Sequence, residues 1–326
     1  MQAWLCENPT GVDALTWKEL PTPQPGTGEA LIRIQAASLN FPDLLIVQNK
    51  YQHKPPLPFV PGSEYAGVVQ ALGAGVTGLQ VGQTVACLAG TGGFATHTLA
   101  PAARCIPLPD DFPAADAAAF IMIYATSHHA LLDRGALKPG ETVLVLGAAG
   151  GVGTSAIQIA KAAGARVIAA ASTPAKCALC KQLGADETID YASEDLRERL
   201  KTLTAGHGPD VIYDPVGGPY TEPAFRSIAW RGRHLVIGFA AGEIPALRIN
   251  LALVKGASLV GVFWGEFAHR EPQANARMMR ELTDWYAQGK IKPVIDTVLP
   301  MRDLKSAYAR MAARAVLGKL VLVNEA

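Results

Sequence analysis

One stretch constrains this chain more than any other: VLVLGAAGGVGTSAIQIAKAAGARVIAAASTPAK, residues 143–176. It opens as a short all-apolar run, breaks at glycines, continues with apolar residues at helical spacing, and closes on a second apolar run. The alternation persists: strand-like ETID, DVIYD and RHLVIG are separated by helix-like PAKCALCKQLG, EDLRERLKTLT and YTEPAFRSIAW. All-apolar strands are those buried on both faces, and parallel neighbours require a crossover, normally a helix, between them. The pattern predicts an α/β chain carrying a doubly wound parallel sheet.

Elsewhere the rhythm differs. Residues 1–120 hold short runs such as EALIRIQAASL, EYAGVVQAL, QTVACLA and FATHTLAP, punctuated by Pro and Gly, which suit a mostly β domain. After the run GASLVGVFW come two helical patterns, QANARMMRELTDWYAQGK and LKSAYARMAAR, with VIDTVLPM and GKLVLV. This tail leaves the alternation and is expected to pack on the first domain. The expected division is therefore 1–122 with 266–326, and 123–265. A length of 326 residues agrees with two domains.

Composition excludes several classes. At 49% hydrophobic and 17% charged the chain can bury a core, and a net charge of +1 gives no footprint for nucleic acid or an anionic membrane. No apolar run approaches the ~18 residues of a membrane span, and the N-terminal residues lack a signal-peptide pattern. A cytoplasmic protein is expected. Five cysteines make a disulfide framework improbable. Cys177 and Cys180 form a C-x-x-C, but no second pair or His cluster accompanies it, and both are read as residues of one helix.

Gly147, Gly150, Gly151 and Gly153 stand between the first strand and its helix. Glycines there permit a tight turn and close approach of a pyrophosphate, which the helix N-terminal amides then hold. Ala149 occupies the place of the usual second glycine. The candidate phosphate-binding set is Gly147, Ala149, Gly150, Gly151 and Val152. NAD-binding units place a carboxylate at the tip of the second strand to accept from the ribose 2′-OH. Here that strand ends VIAAASTPAK, with no carboxylate before Lys176. Ser172, Thr173 and Lys176 offer hydroxyls and a cation instead, which favours NADPH.

The segments AASLNFPDLL, PFVPGSEYAGVV, LKPGETVLVLGAAGGVG, KQLGADETIDY, VIYDPVGG and GKLVL run nearly end to end. In these the chain resembles the zinc-independent quinone oxidoreductases of the medium-chain dehydrogenase/reductase superfamily. The resemblance implies a GroES-like catalytic domain split around a Rossmann domain, an active site in the cleft between them, and a homodimer. It assigns Lys176, Tyr191 and Arg314 to the 2′-phosphate, a role suited to Arg and Lys, and sets Gly238, Phe239 and Phe263 at the cofactor. Where zinc-dependent relatives carry Cys, His-Glu and Cys, this chain has Asn40, Ser63 with Glu64, and Met122, so no zinc is expected.

Without a Lewis acid the acceptor must be electron-poor: a quinone, or a double bond conjugated to a carbonyl. Donors are then needed where its oxygen gains charge. Asn40 is the first candidate, with a simple turn residue as the alternative; Tyr51 is the second, with a loop aromatic as the alternative. The resemblance adds Thr126 as a nicotinamide contact. Leu45 departs from the tyrosine often found there and suggests a more apolar pocket. Phe41, Phe239, Phe263 and Trp264 are candidates for its lining or plain core, His128 and His129 are read as packing residues, and Asp43 and Glu64 as structural. Alternatives are a 2-enoyl or acryloyl thioester reductase, with Lys50, His53 and Lys54 as a possible basic rim, or a non-catalytic NADPH-binding protein.

Overall fold

The computed structural model describes residues 1–109 and 111–324. Contacts within the chain divide it into two compact units, Met1–Met122 with Ile295–Ala326, and Ile123–Val294.

The first unit opens with an antiparallel pair, β1 (Gln2–Leu5) and β2 (Thr16–Glu19). Then come β3 (Glu29–Ser38), helix α1 (Phe41–Ile46), β4 (Glu64–Leu72), β5 (Thr84–Leu88), β6 (His97–Pro101), β7 (Cys105–Pro107) and α2 (Ala114–Ala118). Helix α3 (Ile121–His128) leads into the second unit, where strands and helices alternate. These are β8 (Thr142–Leu146), α4 (Gly151–Ala162), β9 (Arg166–Ala171), α5 (Pro174–Gln182), β10 (Glu187–Asp190), α6 (Leu196–Leu203), β11 (Val211–Asp214), α7 (Thr221–Arg226), β12 (Arg233–Val236), α8 (Asn250–Lys255) and β13 (Ser258–Gly261). Helices α9 (Trp264–Arg270) and α10 (Pro272–Ala287) complete that unit, and β14 (Ile295–Pro300), α11 (Leu304–Ala312) and β15 (Lys319–Val323) return to the first.

In the first unit a seven-stranded sheet runs β14-β15-β3-β4-β5-β7, with β6 also paired to β3. Ile32, Ile34, Tyr65, Phe94, Tyr308 and Leu320 share its core. In the second unit six parallel strands run β10-β9-β8-β11-β12-β13. The order reverses between β8 and β11, and in such sheets ligands bind outside the carboxyl ends of the strands at that reversal. Val143, Leu144, Val145 and Leu146 of β8 are all fully buried, each worth roughly 1.5–3 kcal/mol. That burial outweighs any preference of the segment for helix, which differs by under ~1 kcal/mol per residue. Helix α4 stops where Gly164, at φ +77°, takes the left-handed turn after its last residues.

The division differs from the expected one in where the chain returns: Ile295, not residue 266. Helix α10 stays with the second unit because its side chains are engaged there. Glu281 meets His128 Nε2 at 3.2 Å, Asn275 accepts from the Trp264 indole at 3.0 Å, and Gln158 of α4 bonds the Lys292 backbone in both directions. An amphipathic pattern says that a helix has a buried face, not which partner buries it.

Candidate active site

The second unit presents its glycine turn at the carboxyl end of β8. Gly147 sits at φ +59°, and a Cβ there would stand 2.7 Å from Val216 Cγ2, so only glycine fits. The Gly150 amide donates to Gly147 O at 3.0 Å and closes the turn. Gly153 lies so close beneath that its Cβ would be 2.4 Å from the same oxygen. Helix α4 has Gly150 as N-cap, no side-chain cap and no acid in its first turn. Its first amides have no partner within the helix, and the macrodipole favours an anion there. Gly151 and Val152 are half-buried, whereas Ala149 is buried. A polar cluster supports the turn: the Ser127 hydroxyl lies 2.7 Å from Ser155 Oγ, 2.9 Å from Tyr213 OH and 3.1 Å from Val152 O.

At the next strand tip, β9 ends at Ala171 and no carboxylate follows. Thr173 caps α5 by accepting from the Lys176 amide at 3.3 Å, and Lys176 Nζ donates to Ser172 Oγ at 3.1 Å. Asp190 pairs with Ala171 in register, and the Tyr191 amide donates to Ala171 O at 3.0 Å, which sets Tyr191 beside Ser172. The Tyr191 ring lies 4.4 Å from that of Tyr220, and both border a cavity of about 230 Å³. Across the reversal, buried Asp214 accepts from Val216 N, Gly217 N, Thr221 Oγ1 and His234 Nε2 at 2.7–3.0 Å and fixes the turn after β11. Burial opposes its charge, but these donors hold its carboxyl below the usual range. Gly238 donates to Asp214 O at 3.4 Å, and half-buried Phe239 packs against Gly217.

Some expectations in this unit meet a different environment. Trp264 is buried against α10, whereas Phe263 is 61% exposed. Thr126 is half-buried on α3. His128 packs on Trp285 and His129 stacks on Phe267 at 4.3 Å; burial lowers the pKa of both, and they serve packing. Burial pushes the Cys180 thiol up to about 12 and the Cys177 thiol up as well, which leaves the C-x-x-C without a reactive thiolate.

The first unit contributes a buried polar network around Asn40, the N-cap of α1. Glu64 Oε2 accepts from Ser38 Oγ at 2.9 Å, Asn40 Nδ2 at 2.9 Å and Lys319 Nζ at 3.4 Å, while Oε1 accepts from the Met122 amide at 2.9 Å. Lys319 Nζ also donates to Leu39 O at 3.1 Å and to Asn40 Oδ1. All three ammonium hydrogens are thus spent, and one Asn40 Nδ2–H remains. Burial lowers the Lys319 pKa, with Glu64 and Asp43 opposing. Asp43 accepts from the Asn40 and Ser63 amides at 2.8 and 2.9 Å, yet burial raises its pKa to about 6. Half-buried Tyr51 is kept a phenol by burial and by Asp43. Asp43 and Glu64 both make hydrogen bonds within the first unit. Lys319 is the residue that sequence reasoning missed: GKLVL reads as the start of a strand, and its partners lie some 255–280 positions away. Arg314 belongs to the first unit, exposed and left-handed at φ +55° after α11.

Comparison with known proteins places this arrangement. Residues 26–110 match the alcohol dehydrogenase GroES-like domain and residues 151–313 the zinc-binding dehydrogenase domain. The quinone oxidoreductase-like protein 2 homolog of Nematostella vectensis is 35% identical over 324 residues, 98% of this chain and 88% of its own length. The chain belongs to the quinone oxidoreductase-like family of the medium-chain dehydrogenase/reductases. Escherichia coli quinone oxidoreductase complexed with NADPH superposes with a TM-score of 0.93 at 28% identity, covering 99% of this chain and 100% of that one. A mycobacterial protein complexed with NADPH gives 0.92 at 32% identity, covering 99% of both chains. With the GroES-like and Rossmann domains of the family established, the chain is an oxidoreductase of that superfamily. One matched domain is described by zinc, and the residues here do not fit that metal. Asn40 offers an amide, Ser63 a hydroxyl and Met122 a thioether in place of thiolate and imidazole, and both Glu64 oxygens are engaged. Among the described residues no group of three His, Cys, Asp or Glu is placed to hold a metal, and no helix is long and apolar enough to cross a membrane.

Proposed function

We propose that this family member transfers hydride from NADPH to a quinone or an α,β-unsaturated carbonyl compound, without zinc. The tip of β9 carries the reading: no carboxylate stands there to repel a 2′-phosphate, and Lys176 Nζ lies against Ser172 Oγ at 3.1 Å. Relatives solved with NADPH support it.

When bound, the nicotinamide supplies the hydride. The amides of Gly151 and Val152, beyond the corner made by Gly147, Ala149 and Gly150, hold the pyrophosphate. Ser172, Lys176, Tyr191 and Arg314 take the 2′-phosphate. Gly238, Phe239, Phe263 and Thr126 bound the nicotinamide. The free Nδ2–H of Asn40 and the Tyr51 phenol donate to the acceptor oxygen as it gains charge. Tyr51, with its pKa raised, keeps the proton it must offer. Lys319 and Glu64 hold the two ends of the Asn40 amide and so decide which edge faces outward. The active form is a homodimer, supported by the apolar edge strand β13.

Initial rates of NADPH oxidation with 1,4-benzoquinone, 9,10-phenanthrenequinone, an alkenal and crotonyl-CoA test the reading, with NADH as control. Turnover of quinones or the alkenal with NADPH is the expected result. Preference for the thioester would turn attention to exposed Lys50, His53 and Lys54. Tight NADPH binding without turnover would leave a non-catalytic binding protein.

A further inference from the structure

Outside the proposed active site, two buried thiols face each other across the sheet of the first unit. Cys87 on β5 and Cys105 on β7 are direct partners in an antiparallel register, and their sulfurs are 3.4 Å apart. Directly opposed residues of an antiparallel pair have Cα atoms about 4.5–5.5 Å apart, inside the roughly 4.4–6.8 Å that a disulfide spans. The backbone therefore already has the separation a bridge requires, and the side chains already point at one another. The other adjacent pair, Cys177 and Cys180, sits within one helix.

We propose that Cys87 and Cys105 form an oxidisable dithiol that hydrogen peroxide closes into a cross-strand disulfide. Cys105 is the sulfur oxidised first. It lies on β7, a three-residue strand at the end of the sheet, and is 8% exposed, whereas Cys87 on the inner strand is fully buried. The Cys87 thiol donates its hydrogen bond toward Cys105, which stabilises a Cys105 thiolate and lowers its pKa while that of Cys87 rises. The Cys105 thiolate attacks one peroxide oxygen; the S–O bond forms, the O–O bond breaks, and the departing hydroxide takes up the proton that the Cys105 thiol released and leaves as water. Cys87 sulfur then attacks the sulfenic sulfur; the S–S bond forms, the S–O bond breaks, and the leaving hydroxide takes the Cys87 proton. Two thiols and one peroxide give one disulfide and two waters: the sulfurs lose two electrons and the peroxide gains them. Strand β7 is short enough to open locally and admit so small an oxidant.

The bridge would lie one rung from the Asn40 network. Cys87 pairs with Tyr65 on β4, and the next pair along those strands is Leu88 with Glu64. Closing the pair pins β7 to β5 and restricts the unfolded chain, so the oxidised protein is expected to melt higher.

The test uses the full chain, reduced, desalted and exposed to hydrogen peroxide, with free thiols counted by alkylation and mass spectrometry before and after reduction. The expected result is that the five thiols fall to three, with the loss confined to peptides holding Cys87 and Cys105 and reversed by a reductant. Cys105→Ala should abolish the bridge and the rise in melting temperature; Cys177→Ala should leave both unchanged. Retention of all five thiols, a bridge to Cys177 or Cys180, or Cys105 stopping at an irreversible oxyacid would overturn the proposal. The readout is a mass, so the result stands apart from which acceptor the protein reduces.

Discussion

At the residue scale, three side chains carry separable expectations. Asn40→Ala removes the donor assigned to the acceptor oxygen, so kcat should fall about 10²-fold or more while the KM for NADPH holds; unchanged kcat would return Asn40 to its role as helix cap. Lys176→Ala removes a charge-assisted contact worth about 1.5–3 kcal/mol, so the KM for NADPH should rise ten-fold or more with NADH unaffected. Equal loss with both cofactors would remove the 2′-phosphate assignment. Asp43 gives a pH dependence. Its folded pKa is about 6 against an ordinary 3.8, so the folded chain keeps a proton that the unfolded chain loses between pH 4 and 6. Its contribution to stability therefore falls as pH rises through that window, by up to roughly 3 kcal/mol. Asp43→Asn should flatten the difference between melting temperatures at pH 4 and 6.5; an unchanged slope would mean that Asp43 titrates normally. The chemistry of such groups is only partly legible in sequence. Asn40 and Glu64 stand out by place, but what fixes them is Lys319, and nothing in GKLVL marks its ammonium as buried beside two carboxyl groups.

At the element scale, the second unit was the more readable. Strands buried on both faces are bound to be continuous apolar runs, and Gly147 and Gly153 stand where a side chain would collide with Val216 or with the Gly147 carbonyl. Gly153→Val should therefore be severe. Its Cβ would meet backbone at 2.4 Å, which no rotamer relieves, so the α4 N-terminus must move away from β8. Loss of NADPH affinity together with a lower melting temperature is the expected outcome, by calorimetry; native affinity would mean that the turn does not hold the pyrophosphate. Helix α10 is legible as a helix, but its place in the second unit is not, because Glu281 and Asn275 find their partners through tertiary contacts that no local pattern encodes. The aromatic residues divide for the same reason: neighbours Phe263 and Trp264 differ in sequence by nothing that predicts one exposed and the other buried.

At the scale of the whole molecule, the parallel sheet ends in an unusual strand. β13 lies at the edge beyond β12, and Leu259 on it is 53% exposed; Leu253 and Val254 of the preceding helix α8, and Trp230, whose ring lies against Gly256, are exposed as well. Edge strands that must stay single are normally shortened, twisted away or charged; Ser-Leu-Val-Gly carries none of the charge. In the proposed homodimer a second copy related by a two-fold axis would answer both problems at once, since antiparallel pairing of two β13 strands would satisfy their backbones and cover the same apolar side chains on each. Each Leu or Val so covered is worth roughly 1.5–3 kcal/mol, and a two-fold interface loses Leu259 from both copies at once, so Leu259→Arg should weaken the dimer by about 10²-fold to 10⁴-fold in Kd. Sedimentation of the native chain should give a dimer at micromolar concentration, and the variant should shift toward monomer while keeping its fold by circular dichroism. A native monomer at that concentration would show that this edge is left open, and the exposed leucines would need another partner.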